Sequence, residues 1–161
     1  MGLTRQEFLE YIKAFNDRDY EKQYSYYHDD VTLDIPDPQT GILYGKEGIK
    51  GHYLPLFNVA EEVLVPMVIM VDGDKIFYLM ESYFLYRQKV DKAVFGYRVQ
   101  PGDIIKIESW AYYQLVDGKM KKIVCNVRKN QCLGKVDLKE YLRESESRAE
   151  TDLRIINYSR Y

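Results

Sequence analysis

The stretch from Asp103 to Lys129, DIIKIESWAYYQLVDGKMKKIVCNVRK, limits what this chain can fold into more than any other part of it. Two strand-like runs flank Asp117-Gly118, and an Asp-Gly pair between such runs signals a two-residue hairpin turn. With uninterrupted pairing away from that turn, Leu115 faces Met120, Tyr113 faces Lys122, Ala111 faces Val124, Ser109 faces Asn126 and Ile107 faces Arg128. Directly opposed residues share a sheet face. One face then carries Ile105, Ile107, Ala111, Tyr113, Leu115, Met120 and Val124, with Ser109, Asn126 and Arg128 at its far end. The other carries Glu108, Trp110, Tyr112, Ile123, Cys125 and Val127. Both are too apolar to lie in water, so one is expected to line a core and cavity and the other to meet a partner.

Upstream, Thr4 and Glu7 form a capping box, and Phe8, Tyr11, Ile12 and Phe15 follow as one apolar stripe at helical spacing. Asp19 can cap a shorter helix carrying Tyr20, Tyr24 and Tyr27. Val31 to Ile35 alternates as a half-buried strand, and Pro36 to Gly45 reads as a loop. Lys46 to Phe57 resumes helical spacing, with Pro55 expected to kink or shorten it. Val63 to Val71 and Ile76 to Tyr86 read as strands around Asp72-Gly73-Asp74, with Pro66 marking a bulge or an edge. A short strand-like piece is expected at Val94 to Val99. After Gly134 a last helix capped by Asp137 gives way, from Arg143 to Arg154, to a charged helix end or disordered tail. Segregated helices followed by a meander make an α+β fold. The expected architecture is a cone of three N-terminal helices packed on a strongly curved, mostly antiparallel sheet. Residues 1–134 would form the cone domain and 135–161 a C-terminal helical or partly disordered extension.

Composition removes several function classes. A chain of 161 residues is one domain by size. The net charge of -2, with basic residues interspersed among acids, indicates neither a nucleic-acid groove nor a membrane surface. No long apolar run or signal peptide is visible, so a cytoplasmic setting is expected. Two cysteines, Cys125 and Cys132, and two histidines, His28 and His52, offer no metal-ligand spacing and no disulfide framework. Without a glycine-rich phosphate loop, no cofactor is expected. The 16 tyrosines suit a pocket for an oxygenated ligand, and equally a packed interface.

The run Phe8-Leu9-Glu10-Tyr11 through Phe15-Asn16, the segment Tyr26-Tyr27-His28-Asp29-Asp30-Val31, the segment Gly45-Lys46-Glu47-Gly48-Ile49 with Tyr53 and Phe57, and Asp117-Gly118-Lys119-Met120 occur in a telling order. In that order and spacing the chain resembles the nuclear-transport-factor-2-like superfamily, and its SnoaL-like polyketide cyclase branch in particular, over roughly residues 3 to 130. The resemblance implies a cone with one deep pocket. It also implies ring cyclase, dehydratase, isomerase or epoxide hydrolase chemistry, or a non-catalytic transport or assembly role, since fold alone does not settle function. In SnoaL-like cyclases an acidic residue on the last strands is implied as general base. Here that stretch reads Val124-Cys125-Asn126-Val127-Arg128, with an amide in its place, which counts against aldol-type ring closure.

Polar groups embedded in apolar strands are the candidates for chemistry, because burying them unpaired costs free energy. Glu81 is expected as a carboxyl with a raised pKa that moves a proton, with Asp34 as a second candidate and His52 as a shuttle. Arg128 is expected to polarise a carbonyl or hold an oxyanion. Asn126, Tyr83, Tyr113, Tyr53 and Trp110 are the candidate substrate-binding residues. The expected function is a cofactor-independent isomerase, cyclase or dehydratase acting on a hydrophobic, oxygenated small molecule of the polyketide or terpenoid kind. Trp110, Tyr112 and Ile123 would form a homodimer interface. The competing reading is a non-catalytic ligand-binding or protein-interaction module whose tail docks on a partner.

Overall fold

The first helix, α1 (Arg5–Asp17), starts where Thr4 Oγ1 accepts from the Glu7 N–H at 3.1 Å and Glu7 Oε2 accepts from the Thr4 N–H at 2.8 Å. This reciprocal cap satisfies two of the donors that a helix start leaves open. A computed structural model describes residues 2–150 and 154–161. After α1 come α2 (Tyr20–Ser25), β1 (Tyr27–Ile35), β2 (Gly41–Tyr44), α3 (Gly45–Val59), β3 (Ala60–Asp72) and β4 (Lys75–Tyr86). The chain closes with β5 (Ile104–Val116), β6 (Lys119–Gly134) and α4 (Leu138–Arg148). It is an α+β fold with one sheet in the order β2-β1-β6-β5-β4-β3, antiparallel throughout except where β1 lies parallel to β6.

Three local expectations need correction. The Pro36–Gly45 loop contains a short edge strand, β2, paired with β1. Pro55 does not shorten α3, which runs to Val59; Tyr53 and Phe57 pack edge-on against Phe15, and that packing offsets the lost backbone hydrogen bond. Val94–Gly96 is a single 3-10 turn, with one isolated bridge between Val90 and Val99. Pro66 does sit in an edge strand at a register shift, where no ladder donor is needed from it.

The β5–β6 hairpin turns on Asp117 and Gly118, both with positive φ (53° and 74°), as a primed two-residue turn requires. Leu115 pairs with Met120, but Gln114 then pairs with Lys122, so Lys121 is an extra residue in a bulge. A one-residue slip moves every following side chain to the opposite face. Ile123, Cys125 and Val127 therefore share the inner face with Tyr113, Ala111 and Ser109, and Val124 and Asn126 point outward with Tyr112 and Trp110. The expected face assignment of β6 is thus reversed. A second bulge leaves Arg128 as the extra residue between Val127 and Lys129.

The core lies between the inner sheet face and the helices α1 and α3. Phe8 meets Tyr78 and Tyr113 edge-on at 5.1 Å each, and Tyr11 meets Tyr27 and Tyr113. Each such pair adds about 0.5–1.5 kcal/mol beyond area burial. The described part of the C-terminal segment packs on the rest of the chain. Leu138, Leu142, Ile155 and Ile156 are buried in the same cluster as α1, and α4 covers part of the outer sheet face around Glu81 and Tyr83. Residues 151–153, within the stretch expected as a tail, lie outside the described residues.

Candidate active site

At the end of the core away from the Phe8 cluster the packing opens into a cavity of about 90 Å³. Its floor is the inner sheet face: Glu62 of β3, Met80, Ser82 and Phe84 of β4, Ile107 of β5, and Cys125 and Val127 of β6. His52, Tyr53 and Leu56 of α3 form one wall. Ile35, Pro36 and Asp37 at the end of β1 form another, and Val94 and Phe95 complete the lining. Alternation along the strands explains the floor, since Ser82 and Phe84 face the same way and pair in register with Leu64 and Glu62.

Glu62 is the chemically unusual group. It is 7% exposed. Among the described residues its carboxyl has neither a hydrogen bond nor an ion pair. The nearby Arg18 donates instead to the Glu62 backbone oxygen at 2.6 Å and pairs with Glu61 at 3.0 Å. Burial pushes the carboxyl up to about 7, and the charge of Arg18 only partly opposes this. Burial holds the His52 imidazole below its ordinary 6.5, with the Asp37 charge opposing. The Cys125 thiol is pushed up to about 12 by burial and by the charges of Glu62 and Asp34, which makes it a poor nucleophile. Burial also raises the Tyr53 phenol well above 10. Asp37 is buried and fully engaged: it accepts from the Gln39 N–H at 3.0 Å and from the Phe95 N–H at 2.9 Å. A carboxyl whose pKa is raised to near neutrality, in a cavity also lined by an imidazole, can accept a proton and return it, which is the requirement for general acid–base work.

A sequence profile described as a SnoaL-like domain matches residues 8–123, most of the chain. The chain belongs to the SnoaL-like family. Solved structures agree on the fold. A candidate polyketide cyclase from Xanthomonas campestris pv. campestris superposes with a TM-score of 0.59 at 17% identity, covering 88% of this chain and 98% of that one. TerC, co-crystallised with polyporic acid, gives 0.58 at 18% identity, covering 88% and 96%. An LEH-like epoxide hydrolase of M. tuberculosis gives 0.58 at 8% identity, covering 76% and 80%. No curated protein matches the sequence.

In this SnoaL-like chain the residues expected at one site divide between the two faces of the sheet, with Glu81, Arg128 and Trp110 together lining a separate groove of about 240 Å³ on the outer face. His52 and Tyr53 line the cavity. Tyr113 is buried deeper, in the ring cluster with Phe8, Tyr11 and Tyr78. Arg128 is 73% exposed and donates to Glu108 at 2.9 Å on the outer face, and Asn126 is exposed opposite Trp110, because the Lys121 bulge turned that strand over. Asp34 sits in register with Val124 and also faces outward. Glu81 and Tyr83 are buried on the outer face under α4. Burial alone would raise the Glu81 carboxyl, but hydrogen bonds from Arg148 and Ser145 and the charge of Lys106 hold it at about 2, the reverse of the expected shift. Ile123 is in the core, not on the outer face. The sequence reading missed Glu62 because it began the strand at Val63. Extending the alternation back one residue pair would have put Glu62 in phase with Leu64. Asp37 was hidden between two prolines in a segment read as loop. Among the described residues, no cluster of His, Cys, Asp and Glu is disposed to hold a metal ion, and no helix is long and apolar enough to cross a membrane.

Proposed function

We propose that this SnoaL-like protein is a cofactor-independent acid–base enzyme of the isomerase or cyclase type, acting on a hydrophobic, oxygenated small molecule of polyketide-like or terpenoid-like character. Glu62 is the proton-moving group and His52, neutral at physiological pH, hydrogen-bonds the substrate oxygen. The observation carrying this reading is the unpaired, buried Glu62 carboxyl facing the cavity with its pKa near neutrality. Such a group costs stability, and an active site is where that cost has a use. The test is deuterium uptake. A panel of small ketones and enones is incubated with the protein in D2O, and incorporation next to the carbonyl is followed by mass spectrometry. Wild type should exchange at least one member, and Glu62→Gln should exchange it about 100-fold or more slowly. Equal exchange by both proteins would sink the assignment.

We also propose a homodimer through the outer sheet face, where Met70 (56% exposed) and Leu79 (38% exposed) stand beside Phe77 and Trp110. α4 occupies only the part of that face around Glu81. A monomer by analytical ultracentrifugation at micromolar concentration would remove this proposal. The competing reading, a non-catalytic binding module, draws on the small volume of the cavity, and the exchange assay separates the two.

A further inference from the structure

Phe95 has φ 57° and ψ 22°, the left-handed region that a bulky non-glycine residue rarely occupies. Such a conformation persists only where its surroundings enforce it. Here the enforcing contacts are on both sides. The Phe95 N–H donates to Asp37 Oδ2 at 2.9 Å, and the preceding Val94 N–H donates to the Tyr86 hydroxyl at 3.2 Å. Gln39, itself held by Asp37, donates to the Ala93 oxygen at 3.1 Å. Two loops are thus tied together by one buried carboxylate, and the tie fixes Phe95 against the cavity. A groove of about 330 Å³ lies outside, sharing Asp37, His52, Leu56 and Val94 with the cavity wall. The inner space of about 90 Å³ is smaller than the ~150 Å³ of an engineered cavity that holds benzene. Among the described residues no lysine or arginine lines it, whereas two carboxylates do. Arg18 is turned away, with its guanidinium 3.8 Å from the Phe57 ring centroid and paired with Glu61.

We infer that Phe95, positioned by Asp37, sets the size of the molecule this cavity accepts, and that this molecule is not an anion and places no more than part of one six-membered ring in the inner space, the rest lying in the groove outside. An anion entering would meet Asp37 and Glu62 with no cation to balance it, and a larger ring would collide with Phe95. The inference rests on the cavity being the ligand site, as in the function proposed above, but not on catalysis.

Binding of benzyl alcohol, benzoate and 1-naphthylmethanol to the full chain, followed by ligand-observed NMR, tests it. Wild type should bind benzyl alcohol at least tenfold more tightly than benzoate or 1-naphthylmethanol. Phe95→Ala and Phe95→Gly should each bind 1-naphthylmethanol at least tenfold more tightly than wild type does. The glycine variant suits the left-handed backbone, so a folding defect is not expected of it. Asp37→Ala should shift the same size preference, because Phe95 loses its anchor. Unchanged selectivity in both Phe95 variants would overturn the size role. Benzoate binding as tightly as the alcohol would overturn the exclusion of anions. Since no turnover is read, inactivity of Glu62 in the exchange assay would leave these outcomes intact.

Discussion

Arg148 grips Glu81 with two guanidinium nitrogens, each 2.9 Å from a carboxylate oxygen, and so fastens the last helix to the outer face of the sheet. Ser145 and Lys106 bind the same carboxylate at 2.6 and 3.3 Å. Arg148 itself keeps 45% of its side-chain surface in water, which screens the pair. Arg148→Ala should therefore cost about 1–2 kcal/mol, less than a fully buried pair would. The Glu81 carboxyl, held at about 2, lies below its ordinary 4.5. Its contribution is present above pH 4.5 and is lost as pH falls toward 2. The stability difference between wild type and Glu81→Gln, from urea unfolding, should shrink over that window. Activity at neutral pH should survive the substitution, since this network lies outside the cavity.

Glu62 has the opposite sign. Its folded pKa of about 7 stands above the ordinary 4.5. The neutral form favours folding below pH 4.5, and that advantage is lost as pH rises through 7, where the folded chain must hold a buried carboxylate. Glu62→Gln stays neutral throughout. Relative to wild type it should gain stability between pH 4.5 and 7, levelling at a gain on the order of 3 kcal/mol above that. Melting temperatures of the two proteins at pH 4.5 and pH 8 measure this directly. A constant difference across pH would mean that the Glu62 carboxyl has the same pKa in the folded and unfolded chain.

The same group governs rate. As a base, Glu62 works only when ionised, so kcat/KM on any substrate found by the exchange screen should rise with pH through about 7. His52 is already neutral there, because burial holds it below 6.5. It should add no further rise above that point. A profile that falls through pH 7 would instead make Glu62 the acid, and a flat one would remove it from the proton transfer.

The fold was legible because its determinants are local and repeated. Thr4 with Glu7, Asp117 with Gly118, and the apolar stripe from Phe8 to Phe15 each act over a few residues and agree with one another. The site was not legible because it depends on phase. One extra residue, Lys121, decides whether Asn126 or Cys125 faces inward, and neither choice changes the apolar pattern enough to announce itself. Glu81 misled for a related reason. An acidic residue in an apolar strand was read as facing a hollow, when it faces a helix some 65 residues later in the chain that brings its own arginine. Long-range ion pairing of that kind leaves no local trace in the sequence.

Asn16 ties three parts of the molecule at one point. Its amide nitrogen donates to the Leu64 oxygen at 3.0 Å and to the Ile155 oxygen at 3.1 Å, and its oxygen accepts from the Leu64 N–H at 2.8 Å. The residue is 1% exposed, so water cannot replace it. α1, the edge strand β3 and the C-terminal segment are all held by these bonds. Asn16→Ala strands two backbone oxygens and one N–H in the interior, each costing about 1–3 kcal/mol. Allowing for partial relaxation, a net loss of about 3 kcal/mol in urea unfolding is expected. Asn16→Asp keeps the acceptor for Leu64 and loses the donor, so it should fall between wild type and alanine only at low pH, where its carboxyl is protonated and can donate. Equal stability of Asn16→Ala and wild type would mean that the C-terminal segment is held elsewhere.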